Sequence, residues 1–148
     1  MAHQYNKSKY KPQYPDKYKG DPTNIICRSS WERKFARYCD TNEKVLEWSS
    51  EEKCVPYRSP IDNRVHRYFP DFLIKVKEEN GSIKKYMIEI KPKRQTVPPP
   101  KPKRQTKGYI TEAYEYAKNQ AKWAAAKEWC ADRGYEFKVL TESELGIK

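Results

Sequence analysis

Apolar and charged positions alternate in two short blocks, Arg67-Tyr68-Phe69-Pro70-Asp71-Phe72-Leu73-Ile74 and Tyr86-Met87-Ile88-Glu89-Ile90-Lys91. A strand places residues i and i+2 on one face. Glu89 and Lys91 are therefore expected to share a face, with Ile88 and Ile90 on the other. One face carries charge and the other packs. The polar run Glu78-Glu79-Asn80-Gly81 predicts the turn that sets the two strands side by side.

The rest of the pattern supplies the frame. Trp31, Phe35, Tyr38 and Cys39 recur at helical spacing after Ser29. Val45–Trp48 and Cys54–Tyr57 read as short strands, and a polar turn over 59–64 precedes Val65–Phe69. From Thr111 to Arg133 strong helix formers dominate, with Trp123, Trp129 and Cys130 as packing groups and Gly134 as the stop. Glu136–Leu140 reads as a strand with Phe137 and Val139 on one face. Thr141 and Glu144 then form a capping-box signature for a short last helix. Helix, several strands, long helix, strand and short helix predict an α/β fold with a mixed central sheet flanked by helices.

Two stretches fall outside this pattern. Residues 1–22 interleave Tyr5, Tyr10, Tyr14 and Tyr18 with lysines and Pro12, Pro15 and Pro22. With almost no aliphatic side chain to bury, they read as a flexible basic arm, either solubilising or touching phosphate. Residues 23–148 then form one domain. Within it a basic, Pro-rich loop at 92–108 carries Lys-Pro-Lys-Arg-Gln-Thr twice, around Val97-Pro98-Pro99-Pro100. Its prolines favour extended backbone and its charges exclude a core.

Composition narrows the partners. In 148 residues, 31 Lys and Arg face 20 Asp and Glu, a formal charge of +11 that favours a polyanion. Twelve tyrosines suit stacking on nucleic acid as well as packing. No apolar run approaches membrane-spanning length and the N-terminus lacks an apolar signal, so a soluble intracellular protein with no membrane partner is expected. Cys27, Cys39, Cys54 and Cys130 are too irregularly spaced for a zinc site and read as reduced thiols.

Two carboxylates meeting at a sheet end make an oxygen-rich site suited to Mg2+ or Mn2+, and a nearby ammonium can orient an attacking water. Asp71, Glu89 and Lys91 are the candidates. The plainer reading is a hairpin with a solvated charged face. Against it, Asp71 abuts Phe72-Leu73-Ile74 and Glu89 lies between isoleucines, and acids in apolar strands need partners or a metal. Glu32 has two readings, as the far half of a capping box with Ser29 or as a further acid at the metal. His66 and Arg67, and the loop residues Lys93, Arg94, Lys101, Lys103 and Arg104, are candidates for DNA contact. Gln120 on the long helix is a candidate for the site's mouth.

The Pro70-Asp71…Glu89-Ile90-Lys91 pattern resembles the PD-(D/E)xK nuclease superfamily, the restriction-endonuclease-like fold. The segments Trp31-Glu32, His66–Phe72, Glu89–Pro92 and Val139–Glu142 are similar to the head-completion nucleases of T-even-type phages. They also look like the N-terminal endonuclease domain of Tn7-type transposition proteins. The second Lys-Pro-Lys-Arg-Gln-Thr copy belongs to neither pattern. The resemblance implies a Mg2+-dependent DNA endonuclease with Asp71 and Glu89 on the metal, the Ile90 carbonyl as a further ligand, Glu32 in support and Lys91 at the water. It further implies cutting DNA by its structure during phage head completion, in the host cytoplasm or on the virion, with head or neck proteins as partners. The alternatives are a DNA-binding virion structural protein without catalysis and a Tn7-like transposition subunit.

Overall fold

The structure is a computed structural model and describes residues 7–146. Its centre is a four-stranded sheet of β3 (Val45–Ser50), β6 (Phe72–Lys77), β7 (Ile83–Ile90) and β8 (Tyr135–Leu140), in that order. β3, β6 and β7 pair antiparallel, while β8 runs parallel to β7 after the crossover helix α2 (Lys107–Arg133). The mixed sheet and flanking helices are those expected of a restriction-endonuclease-like fold.

Strand alternation splits the core into two layers. Phe72, Ile74, Ile88 and Ile90 pack towards α1 (Ser30–Thr41), with Trp31, Phe35 and Cys39. Leu73 and Met87 face the other way, towards Trp123, Ala126 and Cys130 of α2. A hairpin of β4 (Val55–Arg58) and β5 (Val65–Tyr68) adds Val55, Tyr57 and Tyr68 to this second layer. The short helix α3 (Glu142–Leu145) has the capping box expected of Thr141 and Glu144. Gly134 ends α2 at φ 73°, a left-handed backbone that disfavours a Cβ.

The N-terminal segment differs from the free arm expected over 1–22. Tyr5 lies outside the described residues, but β1 (Ser8–Tyr10) pairs antiparallel with β2 (Ile25–Cys27). Pro15–Lys17 form a 3-10 turn, and Tyr10 and Tyr18 enter the core beside Trp48. Asp40 provides the anchor. Fully buried at the end of α1, it accepts hydrogen bonds from the Tyr10 hydroxyl (2.7 Å) and the amides of Gln13 (2.6 Å) and Tyr14 (2.9 Å). A buried carboxylate requires such donors. Aromatic area here replaces the aliphatic area whose absence suggested an arm.

The two copies of the basic repeat adopt different structures. Lys93–Gln95 of the first make a 3-10 turn, whereas the second has no regular element until its Thr106 caps α2 by accepting the Tyr109 amide at 3.1 Å. That cap starts the helix four residues before the expected Thr111. Among the described residues no helix is long and apolar enough to cross a membrane.

Candidate active site

The end of the β6–β7 ladder builds the site. Phe72 pairs with Ile88, so the next position outward sets Asp71 opposite Glu89. Asp71 follows the buried Pro70, and its Oδ2 accepts the Ile90 amide at 2.7 Å. Its carbonyl accepts the Glu51 amide at 3.2 Å, fixing the turn from the other side. Glu89 is 4% exposed and shares Met87's face of β7, opposite Ile88 and Ile90. Lys91 continues on the Glu89 side, with its amide donating to Leu140 of β8 at 3.0 Å. The expected division of faces is thus present.

Glu32 reaches this sheet end from the first turn of α1 and is 7% exposed. Ser29 Oγ accepts the Glu32 amide at 3.1 Å, which is half of a capping box. The other half is altered, since Glu32 Oε1 accepts the Arg28 amide (3.2 Å) and Oε2 the Ser29 hydroxyl (3.4 Å). Glu32 therefore serves the helix start and also lies in the field of the other acids. Burial first, then Glu51 and Glu89, push its carboxyl above the ordinary range, against the Arg28 amide and Ser29. Asp71 is held well above its ordinary value by burial, then by Glu89 and Glu32, with the Ile90 amide and Lys91 opposing.

Three mutually repelling acids at one sheet end form a site that a cation would relax. The Tyr68 hydroxyl adds a second sign. It is buried beside Glu89 and Asp71, and burial first, then their charges and a loose approach to the Glu89 carboxylate, raise its pKa, while among the described residues no partner meets full hydrogen-bond geometry. Among the described residues no three His, Cys, Asp or Glu side chains converge as a ready-made metal cage. Two carboxylates and a backbone carbonyl still fit a Mg2+-type ion, which keeps several of its own waters. Asp71, Glu89 and the Ile90 carbonyl are the donors present, with Glu32 behind them.

The expected DNA-facing residues are dispersed around this centre. His66 and Arg67 are exposed on β5, where His66 Nε2 meets Asp62 Oδ2 at 2.8 Å and Arg67 lies 5.9 Å from the Phe69 ring centroid. Lys93, Arg94, Lys101, Lys103 and Arg104 are all exposed, and none is in an ion pair among the described residues. Arg94 lines a cavity of about 430 Å³ between the loop and α2, together with Lys91 and Tyr116. Gln120 is exposed and is absent from that lining, which its buried neighbour Asn119 joins.

Three residues near the site carried no clear sign in the sequence. Lys122 is half-buried on α2, its ammonium 5.9 Å and 5.8 Å from the ring centroids of Tyr57 and Tyr68. Burial and then Lys91 lower its pKa, with Glu89 opposing. Asn119 lies one helical turn earlier. Glu51 has φ 53° and receives Arg28 Nε at 3.0 and 3.1 Å on its two carboxylate oxygens. This left-handed backbone is strained for a residue with a Cβ, and it lies where the Glu51 amide meets the Asp71 carbonyl.

Two comparisons bear on this geometry. Over 141 residues the chain is 38% identical to the head completion nuclease of Enterobacteria phage T4, covering 93% of this chain and 91% of that protein. Residues 42–142 match the family described as TnsA-like endonuclease N terminal, a span that holds Asp71, Glu89 and Lys91 but not Glu32. That match spans more than half of the sequence and includes the β6 and β7 strands, so the chain belongs to the TnsA-like endonuclease N-terminal family.

Proposed function

We propose that this protein is a metal-dependent DNA endonuclease that acts in phage head completion, cutting DNA by its structure at ends, branches or flaps. The observation that carries the reading is the register of β6 and β7, which sets Asp71 across from Glu89, with Lys91 near enough for its charge to act on Asp71. The similarity to the phage nuclease spans nearly the whole of both chains, so it favours head completion over transposition. No observation favours a DNA-binding structural role without catalysis.

In this reading Asp71 and Glu89 hold the ion, with the Ile90 carbonyl as a further donor and Glu32 orienting its waters. Bound Mg2+ or Mn2+ supplies electrophilic assistance at the phosphate and favours ionised water near neutral pH. The Ile90 amide fixes the rotamer of Asp71 so that its second oxygen remains available. Lys91 positions the attacking water and offsets negative charge gathering on the phosphate as the new bond forms. The exposed cations of the 92–108 loop hold the DNA backbone, and head or neck proteins are partners in the host cytoplasm or on the virion.

Nicking of supercoiled DNA by the purified chain tests this directly. Wild type should cut only with a divalent ion, while Asp71→Ala and Lys91→Ala should bind DNA and lose at least about 100-fold in cutting. Undiminished cutting by either variant would reject the assignment. A panel of linear, branched, flapped and single-stranded DNA then identifies the preferred structure.

A further inference from the structure

We propose that Asn119 and Lys122, on one face of α2, clamp the DNA strand being cut, with Lys122 on the phosphate beside Lys91 and Asn119 on the adjacent nucleotide. The clamp rests on the endonuclease reading above and names residues that reading does not use.

Residues three apart on a helix share a face, so the amide and the ammonium point the same way. Asn119 is only 4% exposed, yet its side chain has no hydrogen bond among the described residues. It borders the cavity of about 430 Å³ that Lys91, Arg94 and Tyr116 also line. Its amide, with two donors and an acceptor uncommitted to the protein, borders a space open to a ligand. Its donors suit a phosphate or sugar oxygen and its acceptor suits a base edge.

Lys122 supplies the charge. Its stem is half-buried and its head sits near the rings of Tyr57 and Tyr68, which restrict it to one region. No carboxylate lies within ion-pair distance of it among the described residues. The charges that act on it from other elements are Lys91 and Glu89, and Glu115 and Lys118 act from its own helix. Lys91 is near enough for its charge to act on Lys122, and two such neighbouring ammonium groups attract an anion. In a nuclease that anion is the phosphate at the cut, and the next nucleotide of the strand enters the cavity under the loop.

The test uses the full chain, a substrate whose cut position has been mapped, and the variants Lys122→Met, Lys122→Arg and Asn119→Ala. Methionine keeps the stem against the tyrosines while removing the charge, and Lys122→Gln replaces it should that variant misfold. Lys122→Met should raise KM about tenfold and reduce the log–log salt slope of DNA binding by about one, and arginine should restore both. A methylphosphonate at the mapped phosphate should weaken wild-type binding several-fold more than it weakens Lys122→Met binding, which keeps Lys91 on that phosphate. Asn119→Ala should lower kcat/KM about tenfold. If wild type cuts and the Met and Ala variants match it in KM, slope and response to the methylphosphonate, the clamp is wrong and the endonuclease reading survives. Absence of cutting by wild type with every divalent ion would remove both.

Discussion

Asp71 concentrates the chemistry of the site in one side chain. Buried among other acids, its carboxyl titrates above the ordinary range, so in the metal-free protein the folded state holds its proton at pH values where the unfolded chain has released it. Stability contributed by the protonated form is complete below about pH 4 and is lost as pH rises towards the raised folded value. Asp71→Asn should remove that loss while keeping an oxygen for the Ile90 amide. Metal-free melting at pH 7 should rise by about 2–4 °C for each 1 kcal/mol of repulsion relieved, and Mg2+ should stabilise wild type but not the variant. A variant that melts below wild type and still gains from Mg2+ would contradict this. At this scale much was legible in sequence, because strand periodicity alone puts Glu89 and Lys91 on one face. Glu32 was legible only as a choice between a cap and an acid at the metal, and the structure shows its amide capped by Ser29 and its carboxyl in the field of Glu51 and Glu89. Lys122 and Asn119 were hidden, because only the docking of α2 on the sheet brings them to Lys91.

Among the elements, the N-terminal segment departs furthest from expectation. Its prolines and lysines read as a loose arm, yet Asp40 and the core around Trp48 hold it from β1 onwards. Asp40→Ala would strand a buried tyrosine hydroxyl and two amides, at a cost of about 3–5 kcal/mol. Proteolysis should then open the chain within residues 8–18, whereas Tyr10→Phe, which removes one bond, should cost only about 1 kcal/mol. Equal protease resistance of Asp40→Ala and wild type would show that the contacts do not hold the segment. Such long-range anchoring leaves no local pattern, whereas the strands and helices that follow were readable from period and caps. α2 begins ahead of Thr111 for a local reason, since the hydroxyl of Thr106, the repeat's last residue, accepts the Tyr109 amide and caps the helix there.

Across the whole molecule, charge separates into two functions. The net +11 belongs mainly to the surface, and the exposed cations of the 92–108 loop, in no ion pair among the described residues, carry part of it. Neutralising Lys93, Arg94, Lys103 and Arg104 together should lower the salt slope of DNA binding by up to about 3.6 if all four meet phosphates. An unaltered slope would place the loop outside the interface. Asp71 and Glu89 oppose that attraction, and in the proposed reading they hold the ion, so divalent-ion binding isolates the catalytic claim from the DNA-binding one. Electron paramagnetic resonance of Mn2+ titrated into the purified chain should report a bound ion in wild type and in Lys91→Ala, lost in Asp71→Ala and Glu89→Ala, with all three variants unable to cut DNA. Mn2+ binding that survives the loss of both acids would show that the sheet end does not hold the metal.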